Sequence, residues 1–178
     1  MKLHTSPYSS SSRRVTLTLE HLGLTIEQNV VDLRSPEHRA ALVALNANNK
    51  IPVLEDGDFV LWESHAIMQY LCGKTPGQTL YPSEARARAD VDRWLYWSGS
   101  HFAPSIGPLN YERLWKKLVT GGDPDPAVLA RYETFFRQNA AVLDRHLEGR
   151  EWISGESLTL ADFSVATSLM YIRAAKLP

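Results

Sequence analysis

Cysteine is nearly absent from this chain: there is one in 178 residues, Cys72. A lone thiol excludes a disulfide framework and fits a reducing compartment, so the expected location is the cytoplasm. Cys72 itself reads as a small buried filler near the end of a helix. Long apolar runs are missing as well. No stretch is long enough to cross a bilayer, and Met1-Lys2-Leu3-His4-Thr5-Ser6-Pro7 has no apolar core of the kind a secretory signal carries. Nor is there an excess of either charge. Nineteen Lys and Arg against twenty Asp and Glu leave a formal net charge of −1, which gives no electrostatic reason to expect nucleic acid or an anionic membrane as partner. Internal repeats are absent, and no metal is expected.

What is present is the composition of an ordinary soluble globular protein, 44% hydrophobic and 22% charged. The chain is long enough for one large domain or two small ones. Its most informative stretch is N-N-K-I-P-V-L-E-D-G-D-F-V-L-W-E-S-H-A-I-M-Q-Y-L, residues 48–71. Ile51, Val53 and Leu54 are β-prone around Pro52. The turn signal Glu55-Asp56-Gly57-Asp58 leads to a second run, Phe59 to Trp62, so the pair reads as a hairpin. A helix follows, with Glu63 and Ser64 in its first turn and Ala66, Ile67, Tyr70 and Leu71 on one face. Pro52 removes a ladder bond at a strand entrance, and an X-Pro bond adopts the cis form at a cost of only about 0.5–1 kcal/mol. A cis bond there turns the backbone groups of Ile51 toward an extended peptide, which pairs with them as an added strand does. Ser64 offers a hydroxyl and a backbone N–H to an anion, and Glu63 an acceptor to an ammonium.

Upstream, residues 2–4 suggest a first strand. A serine loop follows, then a helix over 13–22 with Val15, Leu19 and Leu22 in register and Gly23 as its stop. A strand over 25–31 and a helix opening at Ser35-Pro36-Glu37 and ending near Leu45 complete the order β-α-β-α-β-β-α, a thioredoxin-like α/β domain over 1–73. Residues 74–82 read as a linker. Beyond them the pattern is helical alone: 83–118 with an interruption at Ala103-Pro104 to Gly107-Pro108, a long helix over 126–147, and a capped helix opening at T-L-A-D, where Thr159 and Asp162 form a capping box flanked by Leu158 and Phe163.

K-I-P-V-L-E-D-G followed by W-E-S-H-A-I-M-Q-Y-L at this spacing resembles the second half of the thioredoxin-like domain of the cytosolic glutathione transferases, and the capped helix resembles that of their all-helical second domain. The resemblance covers nearly the whole chain. It implies the glutathione transferase fold, with the α/β domain over 1–73 and an all-α domain over 83–178 that stops one helix short of the usual family pattern. It also implies glutathione as co-substrate, a cis proline, and a homodimer.

The site residues follow from the same likeness. S-P-Y-S-S-S-S-R-R-V places Ser9 at the catalytic serine of theta-like and delta-like members, pointing to a serine-type, bacterial-like enzyme. Ser10 is the reserve, and Tyr8 an alternative if the loop turns differently. No cysteine lies between Ser9 and Ser12 to support chemistry through a mixed disulfide. Ile51 and Pro52 are expected along the peptide, Glu63 and Ser64 at the γ-glutamyl end, and Lys50 and His38 at the glycyl carboxylate. Tyr8, Trp97, His101 and Phe102, with Trp94, are expected to wall the pocket of the second substrate. The implied activity is conjugation of glutathione to a small hydrophobic electrophile, as in detoxification. Two alternatives remain: glutathione-dependent reduction of disulfides or peroxides, and a non-catalytic scaffold with the same fold.

Overall fold

The first seven elements are β1 (Lys2–Thr5), α1 (Ser10–His21), β2 (Glu27–Val30), α2 (Pro36–Leu45), β3 (Val53–Asp56), β4 (Phe59–Trp62) and α3 (Ser64–Gly73). The computed structural model describes residues 1–178, in two units, Met1–Tyr81 and Pro82–Pro178. In the first, the strands form one sheet in the order β2, β1, β3, β4. β1 runs parallel to β2, with His4 opposite Asn29, and antiparallel to β3, with His4 opposite Val53; β4 returns antiparallel to β3, with Trp62 opposite Val53.

Because side chains alternate across a strand, Leu3 and Leu54 share one face and His4 and Val53 the other. Leu3 and Leu54 are fully buried, as are Val15, Ile67, Met68 and Leu71 from the mutually packed α1 and α3. The opposite face meets α2 through Val31, Leu42 and Val53, extended by Leu45, Ile51 and Val60. On that face His4 links three strands: Asn29 Nδ2 donates to its Nδ1 at 3.0 Å, and its Nε2 donates to Glu55 Oε1 at 2.6 Å.

The helix boundaries have local causes. α1 opens at Ser10, three residues earlier than the apolar pattern suggests, because Ser9 caps it: the Ser9 hydroxyl accepts from Ser12 N–H at 3.1 Å. It closes in a Schellman motif, Leu24 N–H to Leu19 O and Gly23 N–H to Glu20 O, with Gly23 at φ +66°. The turn of the hairpin is Gly57-Asp58, and Asp56 belongs to β3. α3 buries Ser64, Ile67, Met68, Leu71 and Cys72, so its inner face is rotated from the one expected and Tyr70 is only half-buried. Much of the segment read as a linker is tied to the first unit. Gln69 Nε2 donates to the Tyr81 hydroxyl at 2.9 Å, Gln78 exchanges two bonds with the Tyr81 backbone, and Leu80 is fully buried.

The second unit contains α4 (Ala85–Trp97), α5 (Ala103–Asn110), α6 (Lys116–Thr120), α7 (Pro126–Leu147) and α8 (Leu160–Ser168). The expected break at the two prolines is not a break. The chain stays helical from Ala85 to Thr120, with π turns at Ser98–Phe102 and Tyr111–Trp115 on either side of α5. Pro104 and Pro108 lack the N–H that an α ladder needs, and wider turns beside them absorb the loss. Gly121, at φ +75°, then ends α6. α8 packs against α4 and α5 and carries the expected capping box, with Thr159 and Asp162 bonding reciprocally.

In the first unit the Asp56 carboxylate accepts hydrogen bonds from Lys74 Nζ and from the Tyr70 hydroxyl, the latter at 2.7 Å. These bonds, Lys74 first, hold its pKa below the usual carboxylate range. A group whose folded pKa is depressed stabilises the fold above its unfolded pKa, about 4, and that contribution is lost as pH falls through the folded value. Asp56→Asn is therefore expected to lower the melting temperature at neutral pH and to flatten its decline between about pH 5 and pH 2, followed by circular dichroism. An unchanged pH profile would show that this carboxylate is not among the groups responsible.

Candidate functional site

The sheet register brings four loops to one end of the first unit. Thr5 ends β1 one residue beyond the His4 and Val53 pair, so it lies alongside Pro52; the loop carrying Ser9 therefore leaves the sheet where residues 50–52 enter it. Trp62 ends β4 opposite the same Val53, so Glu63 and Ser64 emerge there too. β2 runs parallel to β1 and ends opposite Thr5, which delivers 31–38, including His38, to the same end. Ser9, His38, Lys50, Ile51, Pro52, Glu63 and Ser64 are thus gathered around one sheet end, although they span 56 positions of sequence.

Their local geometry differs. The Ser9 cap uses a lone pair of the hydroxyl, which leaves its O–H as a donor at the positive end of α1. Ser10 is the first residue of that helix and is half-buried, and Tyr8 is 71% exposed. The Ile51-Pro52 bond is cis, and Pro52 is buried. Glu63 sits at φ 71°, ψ 111°, in a region that non-glycine residues occupy at a cost of about 1–3 kcal/mol and that concentrates at functional sites. It precedes the buried Ser64, and it gives α3 no side-chain cap, whereas side chains cap α1, α2, α4, α7 and α8.

His38 is exposed, and its Nδ1 accepts from the Asp32 N–H at 3.0 Å, which puts the ring proton on Nε2, pointing away from that bond. Lys50 is exposed; its carbonyl accepts from Asn46 Nδ2 at 2.8 Å, so the nearly buried Asn46 shapes the approach to Pro52.

Two further residues, Arg14 and His65, escaped the sequence reading. Arg14 is 3% exposed and its Nη1 lies 2.5 Å from His65 Nε2. A signal was available: Arg14 falls on the same helical stripe as Val15, Thr18 and Leu19.

The residues expected to wall the second-substrate pocket have different settings within the second unit. Phe102 is 1% exposed, stacked on Trp97 and packed against Phe136, and with Phe136 it lines a cavity of about 450 Å³ within the second unit. Trp94, also expected there, is 6% exposed. The apolar stripe of a long helix is mostly spent on its own domain's interior. Trp97 is half-buried and lines, with Trp94, Arg93, Gln138, Arg145 and His146, a cavity of about 600 Å³ within the second unit; His101 is exposed.

A thioredoxin-like sheet domain followed by an all-helical domain is the fold of a glutathione transferase, and independent comparisons bear this out. A model of the glutathione S-transferase N-terminal domain matches residues 3–79. Glutathione S-transferase 3 of maize (Zea mays) is 36% identical over 165 residues, covering 91% of this chain and 73% of the relative. A probable glutathione S-transferase of rice (Oryza sativa subsp. japonica) is 30% identical over 165 residues, covering 92% and 77%. A solved structure of glutathione S-transferase-I bound with lactoylglutathione aligns with a TM-score of 0.81 at 25% identity, covering 97% of this chain and 83% of that one. The chain belongs to the glutathione S-transferase family. Both relatives of named source are plant proteins, so the theta-like or delta-like bacterial placement drawn from the serine loop is corrected: the family stands, but these relatives do not carry that class.

Cys72 stands apart from this constellation. It is 2% exposed, and burial pushes its thiol up to about 12, so it holds no thiolate near neutral pH. The folded protein is expected to leave a disulfide-exchange reagent such as dithionitrobenzoate unreacted at about pH 8 and to titrate one thiol after denaturation. Rapid reaction in the native state would contradict this burial.

Proposed function

We propose that this transferase binds glutathione across the shared sheet end and activates its thiol with Ser9 for attack on a small hydrophobic electrophile. The observation that carries the reading is the position of Ser9, which caps α1 with a lone pair and keeps its O–H as a donor at the helix's positive end. A thiol with a pKa near about 8.5 is a weak nucleophile at neutral pH. A hydroxyl donor and a helix N-terminus both favour its anion. The thiolate attacks an electrophilic carbon, a C–S bond forms, and the displaced group leaves with its bonding electrons. Ser9 stabilises the anion and forms no covalent bond. The γ-glutamyl carboxylate lies on Ser64 and the uncapped start of α3, its ammonium on Glu63, the peptide along Ile51 and Pro52, and the glycyl carboxylate near His38 Nε2–H and Lys50. The lactoylglutathione bound in a structural relative supports a ligand of this class.

Titration with glutathione near neutral pH, following the ultraviolet absorbance of the thiolate, tests the role of Ser9. Ser9→Ala is expected to abolish the thiolate signal and to reduce kcat by about 10²-fold, the scale of losing one donor to a developing anion. A variant that keeps both would remove Ser9 from the mechanism.

The working form is a homodimer in the cytoplasm, where the single buried thiol is at home. The dimer is supported by the edge strand β4, which leaves Phe59 46% and Trp62 43% exposed; an apolar edge of this kind is a surface that proteins cover. Light scattering is expected to give twice the chain mass of 20.0 kDa, and a monomer would overturn it.

A further inference from the structure

Arg14 sits in the second turn of α1, on the stripe that faces inward, and burial of a guanidinium is costly unless partners compensate it. Part of the compensation comes from α3 and the residue before it. Arg14 Nη1 donates to His65 Nε2 at 2.5 Å, and the carboxylate of Glu63 attracts the same cation. Burial brings Arg14 down to about 10, and burial together with the Arg14 charge brings His65 down to about 3. Near neutral pH the guanidinium is therefore charged and the imidazole neutral. Nε2 keeps a lone pair for Arg14, and the ring proton resides on Nδ1. One donor and one acceptor thus join the helix capped by Ser9 to the residue that follows Glu63 and Ser64, across the packed pair α1 and α3.

We propose that Arg14 and His65 are a positioning pair that fixes the spacing between the Ser9 hydroxyl and the Glu63-Ser64 turn, so that glutathione is gripped at its sulfur and its γ-glutamyl end in one geometry. This rests on the glutathione reading above. Neither residue touches the ligand. Arg14 acts by holding α1 in register with α3 and by keeping a positive charge beside Glu63 while that residue occupies the left-handed region. His65 acts as a neutral acceptor.

The test compares His65→Leu, His65→Gln and Arg14→Gln in the full chain. It measures KM for glutathione and kcat with a chromogenic aryl halide, the pKa of the bound glutathione thiol from thiolate absorbance against pH, and thermal melting. His65→Leu is expected to raise KM for glutathione about 10-fold, as small misplacements of a positioned group do, and to move the bound thiol pKa up by about one unit, tenfold less thiolate at equal pH. His65→Gln, whose amide oxygen replaces Nε2 as acceptor, is expected to restore both to within about twofold of the original. If Arg14→Gln fails to fold, the two His65 variants decide the matter. A His65→Leu protein that melts earlier yet keeps KM and thiol pKa would reduce the pair to a structural contact and overturn the proposal. Failure of the unaltered protein to bind glutathione would overturn the functional reading as well; binding by it with an unaltered His65→Leu overturns this inference alone.

Discussion

The antiparallel pairing of β1 with β3 is the constraint on which the rest of the first unit depends. It sets Leu3 against Leu54 on the face covered by α1 and α3, and both are fully buried. A slip of one residue would exchange the faces, turning Leu3 toward α2 and His4 toward α1 and α3. It would also move Pro52 away from the end of β1 and scatter the loops that now meet there. Packing energy, expressed through two leucines, therefore secures the geometry of a polar site made almost wholly of loop and helix-end residues.

At that site one atom serves two purposes. The Ser9 oxygen closes α1 by accepting from Ser12 N–H, and its hydrogen remains available to a ligand. The two roles differ in scale. An N-cap is worth typically about 1 kcal/mol of helix stability, whereas a donor aimed at a developing anion is worth about 2.7–4 kcal/mol in the transition state. α3 is arranged differently, since its start takes no side-chain cap and is preceded by Glu63 in the left-handed region. One helix end is satisfied from within, and the other offers its polar groups outward.

Much of this was legible in sequence because it is local. The hairpin, the proline before β3, the Gly23 stop, the capping box of Thr159 and Asp162 and the element order through α3 all follow from neighbouring residues, and α7 begins and ends at the residues its periodicity marks. The errors come from tertiary context. Helical spacing alone does not show that Phe102 packs against Phe136, 34 positions away. The prolines of α5 suggest a break because nothing in one dimension announces the π turns that accommodate them. Arg14 went unnoticed because its partner lies 51 positions away on α3. The class of transferase was misplaced for a related reason: a serine-rich loop is a short motif, and relatedness is carried by the whole chain.

The two π turns also bear on how this chain lines up with its relatives. An α-helix turns about 100° per residue, so a wide turn holding one extra residue rotates everything after it by that amount relative to an uninterrupted helix. Between Ala85 and Thr120 this happens twice. A gapless alignment of this stretch to a relative with a regular helix stays in step up to Trp97, drifts by one position after Phe102 and by a second after Trp115. Residues that share a column there do not share a direction, and correspondence has to be drawn by helix face.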